Sequence, residues 1–508
     1  MRHFHTKTAL SALLAAALAM PAAADISAED AWGTLRDMMT GSGYTSAGTE
    51  SRDGSDLVVS DAVFSITIDD QSTTSIDMGT LRFSENGDGT VSVDMPEVMP
   101  VISQFAVPDQ DTPVTLQLDV LQSDAKLLIS GSPENWTQAY DAATVEVALI
   151  SVDGAPESLP PDAYSVSMKM TGLSSSTTVK GQEDPRPAEM TATAESIEFS
   201  TNVAVPGEAQ GMASGQMSGL TFEGTATLPT QSEGGDMAQL IADGYTFDGS
   251  FKHNGGGLTV SGEDDSTAFA YQSQSDSGVF DVTMTGTSVG YKISQIGSSL
   301  SATLPDLPFP VSMEADGIDL GFLLPLTESE TPSDFSLLVN LQAFQMSDMI
   351  WSLFDPQSIL PRDPATLLVD LAGKATVFIN LMDPTQTAAL ETTGEAPGQL
   401  DALDIKALEL KLVGAELNGT GAFTFDNTDL ATFGGMPRPV GALDLQLAGG
   451  NGLIDKLTQM GLIGEQEAGS ARMMMGLLAV PGEAPDTLNS TLEINDQGHI
   501  IANGQRIQ

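Results

Sequence analysis

Apolar and polar residues alternate with a period of two over most of this chain. Phe64, Ile66 and Ile68 are separated by Ser65 and Thr67, and Val91, Val93 and Met95 follow a turn at Asn86-Gly87-Asp88-Gly89. The alternation recurs at Val114, Leu116, Leu118 and Val120, at Val145, Val147 and Leu149, and at Val166, Met168 and Met170. It predicts half-buried strands in a long antiparallel meander whose greasy side must pack on something. Only the ends change period. Ser27 caps a short helix with Glu29 and Asp30 in its first turn and Trp32, Leu35 and Met39 on one face, before Gly41 and Gly43. Leu453, Leu457 and Met460 repeat the helical spacing, and a second helix is expected from about Glu465 to Ala479, with Met474 and Leu478 inward and Pro481 beyond it. A closing hairpin joins Leu488–Ile494 to Ile500–Ile507 across Asp496-Gln497-Gly498. The expected fold is mainly β, with long antiparallel, twisted sheets, a short N-terminal helix and two C-terminal helices packed on the sheet.

Texture divides the chain into residues 25–177, the helix and meander, 178–303, an acidic Gly/Ser-rich β region, and 304–508, where strands lengthen. In the middle part, strands such as Glu195–Phe199 and Val279–Met284 stand between Gly-rich stretches like Gly255-Gly256-Gly257, which predicts shorter strands and mobile turns. Pro305, Pro308 and Pro310 suggest a hinge, because prolines this dense exclude helix and central strand. Beyond it, Leu367, Val369, Leu371, Ala375, Val377, Ile379 and Leu381 share odd numbering and one face of a long strand. Leu403 and Ile405 are odd whereas Leu408, Leu410 and Leu412 are even, so a bulge near Ala407 is needed to keep one face buried. Leu367, Val369, Leu371, Val377, Ile379, Leu408, Leu410 and Leu412 are therefore the candidate lining of an apolar groove. The same residues would make an ordinary core if a second sheet or the terminal helices covered them.

The first residues point to export. Arg2 and Lys7 precede an apolar run from Ala9 to Met20, then Ala22-x-Ala24 ahead of Asp25. That is the layout of a secretory signal peptide cleaved after Ala24, and the run is too short to cross a bilayer. No later apolar stretch is long enough to span one. The expected location is the periplasm, with the medium as the other destination. Without Cys no disulfide contributes, so stability rests on apolar packing. Removing the leader takes two basic residues and no acid, so the net charge of −50 becomes −52. Such a chain repels duplex nucleic acid, and no Lys/Arg cluster offsets that.

Little catalytic chemistry is available. Beyond the leader the only imidazoles are His253 and His499, both expected in solvated turns, and neither lies near a Gly-x-Ser-x-Gly elbow. With 69 acidic residues, a glycosidase-type carboxylate pair cannot be told from a solvated face, and it stays a remote alternative. Asp53-Gly54-Ser55-Asp56, Glu85 to Asp88, and Asp264-Asp265 could supply calcium oxygens, but Asp and Gly belong in β-turns in any case. No catalytic residue, cofactor-binding residue or metal ligand is assigned, calcium being the one weak cofactor candidate. Trp351 sits in a capped helical turn closed by Asp355-Pro356 and is expected to plug a sheet end.

Two blocks resemble the bacterial envelope proteins catalogued as domain of unknown function 2125. The first runs from Trp351-Ser352-Leu353-Phe354-Asp355-Pro356 to Leu360-Pro361-Arg362-Asp363-Pro364-Ala365-Thr366-Leu367. The second comprises Gly452-Leu453-Ile454-Asp455-Lys456-Leu457 through Gly461-Leu462, with the closing Ile501-Ala502-Asn503-Gly504-Gln505-Arg506-Ile507. The resemblance covers most of the chain and implies an exported β-rich protein, without supplying an activity. A looser likeness, to AsmA-type envelope proteins that hold lipid in an apolar groove, is one of fold. Two roles follow as expectations: a non-enzymatic binding or scaffold protein of the envelope with a lipid-accepting groove, or an acidic structural protein that holds protein partners and no small ligand.

Overall fold

The computed structural model describes residues 25–508 except 42, 69–71, 107–112, 155–162, 206–208, 230–236, 265–266, 306 and 308. The proposed leader therefore lies outside the described residues, as do Asp265 and Pro308. The chain opens with helix α1 (Ala28–Gly41), then β1 (Thr45–Asp53), β2 (Asp56–Ile68), β3 (Ser72–Asn86), β4 (Thr90–Asp94), β5 (Val98–Phe105), β6 (Val114–Ser123), β7 (Lys126–Ser132) and β8 (Asn135–Asp153). It continues with β9 (Tyr164–Val179), β10 (Arg186–Val205), β11 (Ala209–Leu228), α2 (Met237–Ala242), β12 (Thr246–His253), β13 (Gly256–Asp264), β14 (Thr267–Ser275), β15 (Ser277–Met284) and β16 (Ser288–Thr303). Then come β17 (Val311–Pro325), β18 (Ser333–Met346), α3 (Asp348–Trp351), β19 (Ala365–Val377), α4 (Pro384–Thr393), β20 (Gly398–Leu412), β21 (Ala415–Asp426) and β22 (Arg438–Ala448). The last elements are α5 (Gly450–Gln459), α6 (Glu465–Leu478), β23 (Val480–Pro481), β24 (Thr487–Ile494), β25 (Ile500–Ala502) and β26 (Gln505–Arg506).

All the strands belong to one antiparallel sheet. Four pairs are halves of single crossings: β4 and β5 both pair with β3, β6 and β7 with β8, β12 and β13 with β11, and β14 and β15 with β16. The sheet is thus one uninterrupted meander, and no described pairing joins β1 to β26, so it stays open. Several expectations change accordingly. The middle segment holds the longest strands, β10 and β11 at 20 residues each, and the Gly255-Gly256-Gly257 stretch leads from β12 into β13 along the length of β11 instead of turning the chain back. Pro305 and Pro310 fall in the turn between β16 and β17, which are paired along their length, so the sheet runs on through the expected hinge. Ile379 and Leu381 lie past the end of β19, where the chain turns toward α4.

A seam of irregularities crosses the sheet from β2 to β18. Asp61, Gly79, Asp124, Gly172, Gly219, Gly297 and Ala343 all have positive φ, between 49° and 64°. Each sits where the apolar phase of its strand slips by one residue: Leu57 and Val59 give way to Ala62 and Phe64, Met217 to Leu220 and Phe222, Tyr291 and Ile293 to Leu300 and Ala302, Val339 and Leu341 to Phe344 and Met346. A slip without an irregularity would turn the second half of every strand inside out; the left-handed residue restores the face and bends the strand. The bend closes toward the apolar side. Trp32 of α1 has ring centroids 6.0 Å from Phe64 and 5.9 Å from Phe83, so these two rings lie within about 12 Å of each other. Phe83 pairs with Leu57, seven residues from Phe64, a spacing of ~23 Å along a flat strand.

Candidate functional site

Register assigns every strand's side chains to one of two faces. Leu367 aligns with Leu341 and Leu410, Val369 with Val339 and Leu408, and Leu371 with Leu337 and Ile405. The rows continue through Leu320 and Phe322 to Ile293 and Tyr291, then Phe280, Phe251 and Phe222. The opposite face carries Lys169, Glu198, Gln216 and Gln274 in one row and Glu409, Asn418, Gln446 and Asn489 in another. One face is therefore apolar across the sheet and the other largely polar.

Helices cover the apolar face at its two ends. At the N-terminal end α1 lays Ala28, Ala31, Trp32 and Leu35 on Leu57, Phe64, Leu81, Phe83, Val91 and Ile129, all buried. The Trp32 indole N–H donates to Glu50 Oε1 at 2.8 Å, which fixes the helix to β1. At the other end Ser490 Oγ donates to the Leu478 carbonyl at 2.6 Å, and Asn503 Nδ2 donates to the same oxygen at 2.9 Å. These bonds hold the end of α6 over β24. Met474 points outward, against expectation, while Met475 and Leu478 are the half-buried residues of that turn.

Between these ends, from β9 to β21, much of the apolar face is uncovered, although Val179, Ala188 and Ala226 at one end of β9 to β11 join the N-terminal core. Leu320 is 47% exposed and Leu410 42%, and Phe199, Phe280, Ile293, Phe322, Leu324, Leu337 and Leu367 are exposed as well. Of the candidate lining residues, Leu367, Val369, Leu371, Leu408, Leu410 and Leu412 share this face, with the bulge placed at Lys406 between Ile405 and Leu408. Val377 is on the same strand but buried at its end, and Ile379 lies beyond the strand. Eleven crossings at ~4.8 Å spacing make the open stretch about 50 Å long. It includes a cavity of about 500 Å³ at the seam, lined by Phe199, Met217, His253, Leu258, Leu300 and Phe344 among others. His253 is the residue that sequence reasoning misplaced. It ends β12 on the apolar face, 9% exposed, because the chain continues into β13 instead of turning back at Asn254-Gly255.

The motif residues serve the rim. Asp355 is fully buried and its two oxygens accept the Ile359 and Leu360 N–H groups, both at 2.9 Å. Trp351 packs with Leu360, Val413, Leu453 and Leu457, and the Arg362 guanidinium lies 5.8 Å from its ring centre while pairing with Asp348. Pro361 abuts Gly414 in the β20–β21 turn, and Pro356, Asp363 and Pro364 shape the same loop ahead of β19. Asn503 and Gly504, both at positive φ, make the tight β25–β26 turn, where Asn503 Oδ1 also accepts the Thr491 N–H at 2.9 Å. The acidic turns have local partners: Arg82 bridges Asp53 and Asp56 at 2.9 and 2.8 Å, and Asp88 bonds Thr90. The Arg82 hydrogen bond holds the Asp56 carboxyl below its usual range. No cluster of three metal-ligating side chains occurs among the described residues, and no described helix is long and apolar enough to cross a membrane. Comparison with known proteins finds no matching family model, curated protein or solved structure.

Proposed function

We propose that this chain is an exported, non-enzymatic protein of the bacterial envelope that shelters the acyl chains of lipid along the open face of its sheet. The observation that carries this reading is the exposure of that face between two helix-covered ends. Covering a Leu or Phe is worth ~1.5–3 kcal/mol, and a row of such residues far exceeds the scattered apolar exposure of an ordinary surface. Hydrocarbon suits the site better than a peptide. Central strands have both backbone edges committed to neighbours, so an incoming strand would find no hydrogen-bonding groups there. The sheet's two edges are also poor docking sites: β1 is polar and carries Glu50, Arg52 and Asp53, while β25 and β26 are very short.

The test is native mass spectrometry, with lipid extraction, on protein purified from the envelope fraction without detergent. A reproducible lipid adduct, diminished in Leu320→Asp and Leu410→Asp variants, is expected. A bare chain that also takes up no lipid from vesicles would sink the proposal.

A further inference from the structure

Four polar or charged side chains stand out as deeply buried among the described residues, and three are satisfied. Gln122 bonds the Pro96 carbonyl and the Tyr140 hydroxyl, Asp355 takes two backbone N–H groups, and Ser490 donates to Leu478. His253 is different: Nδ1 is buried without a hydrogen-bond partner, and the ring lines the cavity on the apolar face. A buried polar group left unpaired costs ~1–3 kcal/mol, so a hydrogen-bonding partner from outside the chain would be stabilising here.

The surroundings are built to admit this ring. Gly278 pairs with His253 on β15 and with Gln295 on β16, and a Cβ at Gly278 would stand 2.2 Å from His253 Nε2. Gly256, the next residue on that face across the seam, would place a Cβ 3.5 Å from Cε1. Two glycines thus open the gap that the imidazole fills. Gln295, Ser275 and Ser298 share the cavity wall with it, Ser298 Oγ donating to Gln295 Oε1 at 3.4 Å; the rest of the lining is mainly hydrocarbon, from Phe199, Met217, Leu258 and Leu300, and also includes Gln274 and the carboxylate of Glu314. A volume of about 500 Å³ lies within the ~300–1,000 Å³ range of small-molecule sites.

We infer that this cavity seats the carboxyl end of a single acyl chain, with the imidazole of His253 hydrogen-bonded to its carbonyl oxygen and the tail lying across the seam. The inference rests on the reading of the open face as lipid-binding and gives that face a fixed point. A free acid and a glycerolipid ester present the same carbonyl.

The experiment compares wild type, His253→Phe and His253→Gln for three probes: palmitate and 1-palmitoyl-lysophosphatidylcholine, each labelled with ¹³C at the carbonyl, and the headless apolar dye 1-N-phenylnaphthylamine. Wild type should shift the bound carbonyl resonance. His253→Phe should weaken the labelled lipid about tenfold while the dye binds unchanged, and His253→Gln, which keeps a donor, should recover much of the loss. Palmitate alone showing this pattern identifies the free acid, and the lysolipid alone identifies the ester. Unchanged lipid affinity in a His253→Phe protein that still binds dye overturns the inference and leaves the groove standing. Failure of wild type to bind any of the three removes the groove as well.

Discussion

The same residue type placed at the two kinds of site on one face should respond differently to truncation. Leu81, on β3 beneath α1, is 0% exposed, whereas Leu320, on β17, is 47% exposed. Leu81→Ala leaves a cavity with no way for water to enter and should cost ~2–5 kcal/mol. Leu320→Ala removes a side chain that has lost only about half its contact with water, and no enclosed void remains, so ~1 kcal/mol or less is expected. Each strand touches little beyond its neighbours, so stability is local, and a single melting temperature would blur the two effects. Hydrogen exchange followed by mass spectrometry resolves them. Peptides from β2 and β3 should exchange well over tenfold faster in Leu81→Ala, while those from β16 to β18 change by less than tenfold in Leu320→Ala. A Leu320→Asp variant extends the contrast, since its carboxylate stays in water where the same change at Leu81 would bury a charge. Equal losses at the two positions would mean that the face is sealed and that the argument for a binding surface is wrong.

Three further outcomes are expected. Gly219→Val, at φ 57° with Asn254 Nδ2 2.6 Å from the new Cβ, should cost ~1–2 kcal/mol in backbone strain plus the clash, and exchange in β10 to β12 should rise. Gly54→Val, at φ 66° with open space around it, pays the strain alone; equal effects would deny the seam its tight packing. Asp355→Ala should orphan the Ile359 and Leu360 N–H groups at ~2–4 kcal/mol and shift Trp351 emission to the red; an unshifted spectrum would contradict the clamp. The Thr428 hydroxyl, followed by Arg438, holds Asp426 at about 2, below its ordinary 3.8. The stabilisation is therefore present above about pH 4 and lost as pH falls through 2. A ¹³C titration of the carboxyl should show this, with the midpoint rising in Thr428→Ala; a wild-type midpoint near 4 would refute it.

The meander was legible because a period of two survives wherever one face is apolar, and the helices at the ends because a cap or glycine bounds each. The phase change at Ile405 and Leu408 marked its bulge correctly for the same reason. The same phase change stands at Val59 and Phe64, at Met217 and Phe222, and at Ile293 and Leu300, where it is not read as a bulge. What hid the seam is that Gly and Asp serve both turns and left-handed bulges, and only pairing on both sides distinguishes them. His253 was misplaced with the seam: Asn254-Gly255 has the composition of a turn but continues the crossing. Whether the candidate groove was covered lay beyond local pattern altogether, since that depends on where α1 and α6 dock.

An open sheet of this length could close on a second copy as readily as on a lipid. Two apolar faces of about 50 Å would bury each other favourably, and nothing in hydrophobic burial discriminates self from lipid. Charge would discriminate between the two. At −50 for the whole chain, with carboxylates along the turns and the polar face, two copies meeting face to face bring like charges together at both rims. On the proposed reading, a lipid chain would carry no such rim and could enter the bend from which another sheet would be repelled. The acidity that argues against nucleic acid would then have a second consequence under the proposed function: it would leave the apolar face free for small amphiphiles, and the seam with His253 would mark where one of them stops.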